Sequence, residues 1–180
     1  MRRGALAALC ALALLAAGCT AAAEAQPRCR EADGSPLVLM LQAVPEATYL
    51  PCLATLPESW ALTGFDVVPG RATMGLRADA VENGATITVT LTPSCPADAG
   101  RARPSGVAGV RRSDLVEEGT GGVVATRTYR FDGGCVRERF ELQPRHRQEV
   151  LGRAWAVLGL VPAAEVSAAI EARHGRAPTG

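Results

Sequence analysis

The chain contains no lysine, a single asparagine (Asn83) and two histidines, and only 4% of its 180 residues are aromatic. Each scarcity closes a class of function. Without lysine there is neither Schiff-base catalysis nor the phosphate-cradling lysine of a P-loop. His146 lies inside Arg145-His146-Arg147 and His174 where a helix is expected to end, so surface and dipole-capping roles account for both. No GxSxG elbow, HExxH pair, dinucleotide-binding glycine pattern or EF-hand loop occurs. The glycine-rich stretches "GTGG" and "DGG" are followed by strand-like sequence rather than a helix N-terminus, which removes them as phosphate loops. Charge of one sign is not in excess either. The net charge is +1, and it falls to −1 without the first 18 residues, which carry Arg2 and Arg3 and no acid. A near-neutral, mixed surface gives no electrostatic basis for a nucleic-acid partner.

What is present first is an address. Met1-Arg2-Arg3 and the apolar run behind it have the form of a signal peptide over residues 1–18, too short for the ~20 residues that span a bilayer. Ala16-Ala17-Gly18-Cys19 resembles a bacterial lipobox, with Ala16 in the place where leucine is commonest. The resemblance implies that Cys19 becomes the mature N-terminus with diacylglycerol on its sulfur. Two acyl chains hold a protein at a membrane, since each buried methylene adds about 0.8 kcal/mol. The alternative is ordinary cleavage near "AAAEAQ", which discards Cys19 or leaves it a free thiol. Residues 19–28 carry no apolar period and read as a tether, leaving 29–176 as one domain. The expected location is the extracytoplasmic side of the cell membrane.

Cys10 falls within the signal peptide, so Cys29, Cys52, Cys95 and Cys135 remain for the domain. Their number is even, the compartment is oxidising, and no CxxC pair exists to hold zinc or run redox chemistry. Two disulfides are expected. Of the three pairings, Cys29 with Cys52 and Cys95 with Cys135 are preferred, because the first closes a local loop and the second joins the end of one expected strand to the start of another. No metal and no cofactor is expected.

The strand signal is clearest at 65–95. Ala72, Met74, Leu76 and Ala78 alternate with polar or small residues, and beyond Asn83-Gly84 so do Ile87, Val89 and Leu91 against a row of threonines. Further strands are expected at 107–117, 122–132 and from Val136, where Phe140 and Leu142 share a face with Glu138. "PLVLMLQ" (36–42) fits a buried strand or a helical turn equally. Pro45, Pro51 and Pro57 argue for an irregular segment over 44–60, and 96–106 reads as an exposed loop. After Pro144 the period turns helical, with one helix ending at Gly159 and a second opening at Pro162. Strands first and helices last predict an α+β fold, an antiparallel sheet of about five strands with two C-terminal helices packed on it.

Two groups of charged residues are candidates for chemistry. Asp114, Glu117, Glu118 and Asp132 would make a paired-acid site if the hairpin ends converged. Arg127, Arg130, Arg137 and Arg139 lie on consecutive strands and fit either cross-strand ion pairs with Glu138 and Glu141 or an anion-binding face. Finally, "VPEATYLPC", Pro57, Trp60, "LTPSC", "FDGGC" and a closing helix together resemble a set of uncharacterised extracytoplasmic proteins and lipoproteins of actinobacteria, over most of residues 37–174. That resemblance implies a compartment and a shape, with no functional residues attached. The expected function is a non-enzymatic binding or interaction module tethered to the outer face of the membrane, its partner an envelope protein or a small ligand. The alternative is a small envelope enzyme with an unorthodox carboxylate or arginine site.

Overall fold

Alternating apolar and polar side chains build most of the molecule. A computed structural model describes residues 29, 35–56, 58–78, 84–97, 100–142 and 147–174. The residues read as a signal peptide and tether, 1–28 with Cys19 among them, and His146 lie outside the described residues. In chain order the elements are α1 (Ser35–Ala43), β1 (Tyr49–Leu53), β2 (Trp60–Val68), β3 (Arg71–Ala78), β4 (Thr86–Thr92), β5 (Arg101–Arg103), β6 (Arg111–Gly119), β7 (Gly122–Phe131), β8 (Gly134–Leu142), α2 (Arg147–Trp155), β9 (Leu158–Pro162) and α3 (Ala163–His174). Seven strands form one antiparallel sheet in the order β2-β3-β4-β8-β7-β6-β5, and β1 pairs with β9 in a second, two-stranded sheet.

The expected α+β fold is therefore corrected: the described chain is mostly β, with short helices only. The five strands legible from alternation are β3, β4, β6, β7 and β8. Two more flank them. At one edge, β2 exposes Ala61 to Gly64 on both sides and so lacks a two-residue period. At the other, β5 is three residues long inside the stretch read as a loop. Pro51 sits within β1 on a two-stranded sheet, where a missing backbone N–H is tolerated. The run Leu158–Pro162 is buried almost throughout, so it has no alternation to read. The "PLVLMLQ" segment is helix α1. Two helices do follow Pro144, but β9 separates them, and they share the covering layer with α1 and the β1–β9 pair.

That layer covers one face of the large sheet. Ala72, Met74, Leu76, Ile87, Val89, Leu91, Val136, Phe140, Ala125 and Tyr129 point inward, against Leu37 and Met40 of α1, Leu50 of β1, Val161 of β9, Ala154 of α2 and Val166 of α3. Helix α1 crosses β2 and β3, while α2 lies on β8. The other face of the sheet carries the threonine row of β4 and the arginines of β8, half-buried or exposed.

Two disulfides staple this arrangement. Cys29 is bonded to Cys52 in β1 and Cys95 to Cys135 at the start of β8, with Cα separations of 5.6 and 5.2 Å. The β7–β8 hairpin turns on Asp132-Gly133. Gly133 has φ +68°, and a side chain there would run into the backbone carbonyl of Glu46, so glycine is required twice over.

Candidate functional site

The four candidate arginines divide between the faces. Register pairs Arg127 with both Asp114 and Glu138, in the row that also holds Val89, Met74 and Phe65, so Arg127 belongs to the covered face. Arg130 is three residues further along β7 and therefore points the other way. Arg137 and Arg139 are each one residue from Glu138 and join Arg130 on the outer face, where Arg137 sits between Thr90 and Thr128, and Arg139 between Thr88 and Thr126.

On the covered face Arg127 is part of a buried ionic cluster. Its Nε donates to Asp114 Oδ1 at 3.1 Å, while Arg112 donates to the same carboxylate through Nε at 3.0 Å and Nη2 at 2.6 Å. Burial alone would raise the Asp114 pKa, but hydrogen bonds from Arg112 and Arg127 outweigh it and hold the group below its ordinary 3.8. Trp155, at the end of α2, lies over the Arg127 guanidinium with 4.1 Å to the ring centroid, and meets Phe140 edge-on at 6.2 Å. Next along the row, Glu138 is 1% exposed, and neither carboxylate oxygen has a hydrogen-bond partner. Burial pushes its pKa from 4.5 up to about 7, against the attraction of Arg127 and Arg112. The cluster is sealed under Trp155 and presents no reacting group to a substrate, so its part is to organise the sheet.

The outer face is different. Residues 95–97 are held beside the β7–β8 hairpin by Cys95–Cys135 and by Arg130 Nη2 donating to the Pro96 carbonyl at 2.7 Å. Gly100 presses against β6 so closely that a Cβ there would lie 3.0 Å from the Asp114 carbonyl carbon. Between these residues and the sheet is a cavity of about 190 Å3 lined by Ser113, Thr126, Thr128, Arg130, Arg137 and Arg139, with Ala97, Gly100 and Leu115. The Ser113 hydroxyl is buried and has no hydrogen-bond partner. Arg139 also holds Glu141 at 3.0 Å in a solvent-exposed pair. Arg137 is exposed, and no hydrogen-bond or ion-pair partner for it is found among the described residues.

The acids do not form the site that convergence would have made. Glu117 and Glu118 sit by the β6–β7 turn and Asp132 in the β7–β8 turn, at opposite ends of β7, roughly 30 Å apart along the strand. Asp114 is occupied by its two arginines. A wider groove of about 650 Å3 lies beside Glu117, Glu118 and Glu141, and Arg139 lines it as well. No group of three or more histidine, cysteine or acidic side chains is placed to hold a metal ion among the described residues. Nor is any described helix long and apolar enough to cross a membrane. No protein-family model, curated protein or solved structure matches the chain.

The hydroxyl-bearing residues of the cavity, Ser113, Thr126 and Thr128, were missed in the sequence. Ser113 and Thr128 become buried only because a segment stapled by a distant disulfide lies on them, and no local pattern carries that. The split among the arginines was legible from spacing: positions three apart in a strand oppose each other, and positions two apart agree.

Proposed function

We propose that the chain is a lipid-anchored, extracytoplasmic binding module, held at the outer face of the cell membrane through diacylglycerol on Cys19 and binding through the open face of its large sheet. The observation that carries the binding part is the outer-face cavity, lined by Arg130, Arg137 and Arg139 together with Ser113, whose buried hydroxyl has no partner. Cationic forks beside an unused hydroxyl form a recognition surface. The carboxylates favour binding over catalysis: Asp114 is locked in ion pairs, Glu138 is sealed, and Glu117 and Asp132 stand apart. The anchor rests on Ala16-Ala17-Gly18-Cys19 and the basic-then-apolar leader.

Two measurements test the two halves. In cells, Cys19→Ala is expected to move the protein out of the membrane fraction and to remove a diacylglyceryl mass increment. An unchanged membrane fraction without that increment rejects the anchor. For the surface, a photo-crosslinking residue replacing Thr90, beside Arg137, is expected to trap adducts in the envelope, and one replacing Glu165, exposed on α3, to trap few. Equal yields from both positions reject the outer face as the binding surface.

A further inference from the structure

We infer that the outer-face cavity is a phosphate site, taking a phosphoryl group that is either free or esterified to a small alcohol or lipid headgroup. The inference rests on the binding-module reading and names the ligand class for that surface.

The shape of the donor set decides it. Arg137 and Arg139 are two residues apart on one strand, roughly 7 Å, and Arg130 lies diagonally across on β7 at a similar reach. Arg130, Arg137 and Arg139 thus line one cavity together with Ser113, Thr126 and Thr128. A carboxylate offers two oxygens confined to one plane. A phosphoryl group offers three oxygens in a pyramid, which suits several forks together with hydroxyl donors. Charge points the same way. Glu141 offsets Arg139, while Arg137 has no partner among the described residues, so the site favours an anion. The volume of about 190 Å3 admits a phosphate with a small substituent.

Ser113 supplies the second, independent sign of a ligand. Its side chain is 96% buried, counting from a residual exposure of 4%, and its hydroxyl has no partner although it lines the cavity. A buried hydroxyl without a partner is a cost to the fold, and a phosphate oxygen removes that cost.

The experiment uses the purified full-length chain as its Cys19→Ala variant, so that no lipid chain confounds vesicle binding. Inorganic phosphate, glycerol 3-phosphate and acetate are titrated by calorimetry and by thermal shift at low salt, with vesicles of phosphatidic acid or phosphatidylcholine as a separate arm. Phosphate or its ester is expected to bind and raise Tm. Arg137→Ala should weaken binding by about tenfold or more, which no structural role of an unpartnered surface arginine would produce. Ser113→Ala should weaken it several-fold while leaving the unliganded Tm unchanged or raised, because it deletes an unsatisfied group. Preference for phosphatidic acid over phosphatidylcholine assigns the phosphoryl group to a lipid, and binding only of the soluble ions assigns it to a free ester. Either result supports the phosphate site. No binding at about 10 mM phosphate, acetate binding as well as phosphate, or full affinity in Arg137→Ala overturns it. Crosslinking through position 90 that persists despite such a result would leave the binding surface standing and reject only the ligand class.

Discussion

Asp114 and Glu138 are neighbours of the same arginine, yet they titrate in opposite senses. Asp114 is held below 3.8 by the hydrogen bonds that overcome its burial, so its stabilisation is present above that pH and is lost as pH falls through its folded pKa. Glu138 is raised from 4.5 to about 7 by burial, so its contribution is complete below pH 4.5 and is lost as pH rises through about 7. The difference corresponds to about 3 kcal/mol. Stability is therefore expected to peak near pH 4 to 5 and decline toward pH 8, and Glu138→Gln should flatten the alkaline limb, as urea unfolding across that range would show. Asp114→Ala strands two buried guanidinium groups and should cost about 3–5 kcal/mol at pH 7, read by the same unfolding curves. The placement of Glu138 was legible, since it shares strand parity with Val136, Phe140 and Leu142. Its partnership was not, because the cross-strand neighbour of Arg127 that wins the ion pair, Asp114, lies on the other side in β6.

At the scale of elements, the hairpin of β7 and β8 joins the two faces of the argument, with the ionic cluster on one side and the phosphate cavity on the other. Its turn is the sensitive point. Gly133→Ala must both enter a positive φ and displace the Glu46 backbone, and should cost about 2 kcal/mol or more, measured as a fall in Tm with the unfolded-state spectrum unchanged. Strands with one wet face, β3, β4 and β8, were readable because burial itself alternates there. Strands with both faces wet, as in β2, or both faces covered, as in β9, carry no such contrast. The prolines that argued for an irregular or one-turn helical segment over 44–60 were read by residue type, whereas β1 lies in a two-stranded sheet where Pro51 is admissible. Separating the fold class correctly thus depended on strands whose signal is weakest.

The whole molecule relies on two crosslinks that close 23 and 40 residues of separation. By the chain-entropy estimate each supplies about 3–4 kcal/mol, a large part of the 5–15 kcal/mol typical of a domain. Reduction under native conditions is expected to unfold the chain near body temperature, seen as a red shift of Trp60 and Trp155 fluorescence. Opening only Cys95–Cys135 by double alanine substitution should also abolish phosphate binding, because the segment that walls the cavity is released, whereas opening Cys29–Cys52 should leave affinity intact once the fold is formed. The Cys29–Cys52 bond has a mechanical consequence as well. A pull on the chain upstream of Cys29 enters the fold at Cys52, next to the end of the ladder with β9, so the intervening residues, α1 among them, form a closed loop that bears no tension. Force passes from Cys52 directly into Leu53 and the chain beyond, so Tyr49–Pro51 of β1 are shielded together with α1. Reducing that one bond would lengthen the load-bearing chain by about 70 Å, and the first element to feel the strain would then be α1.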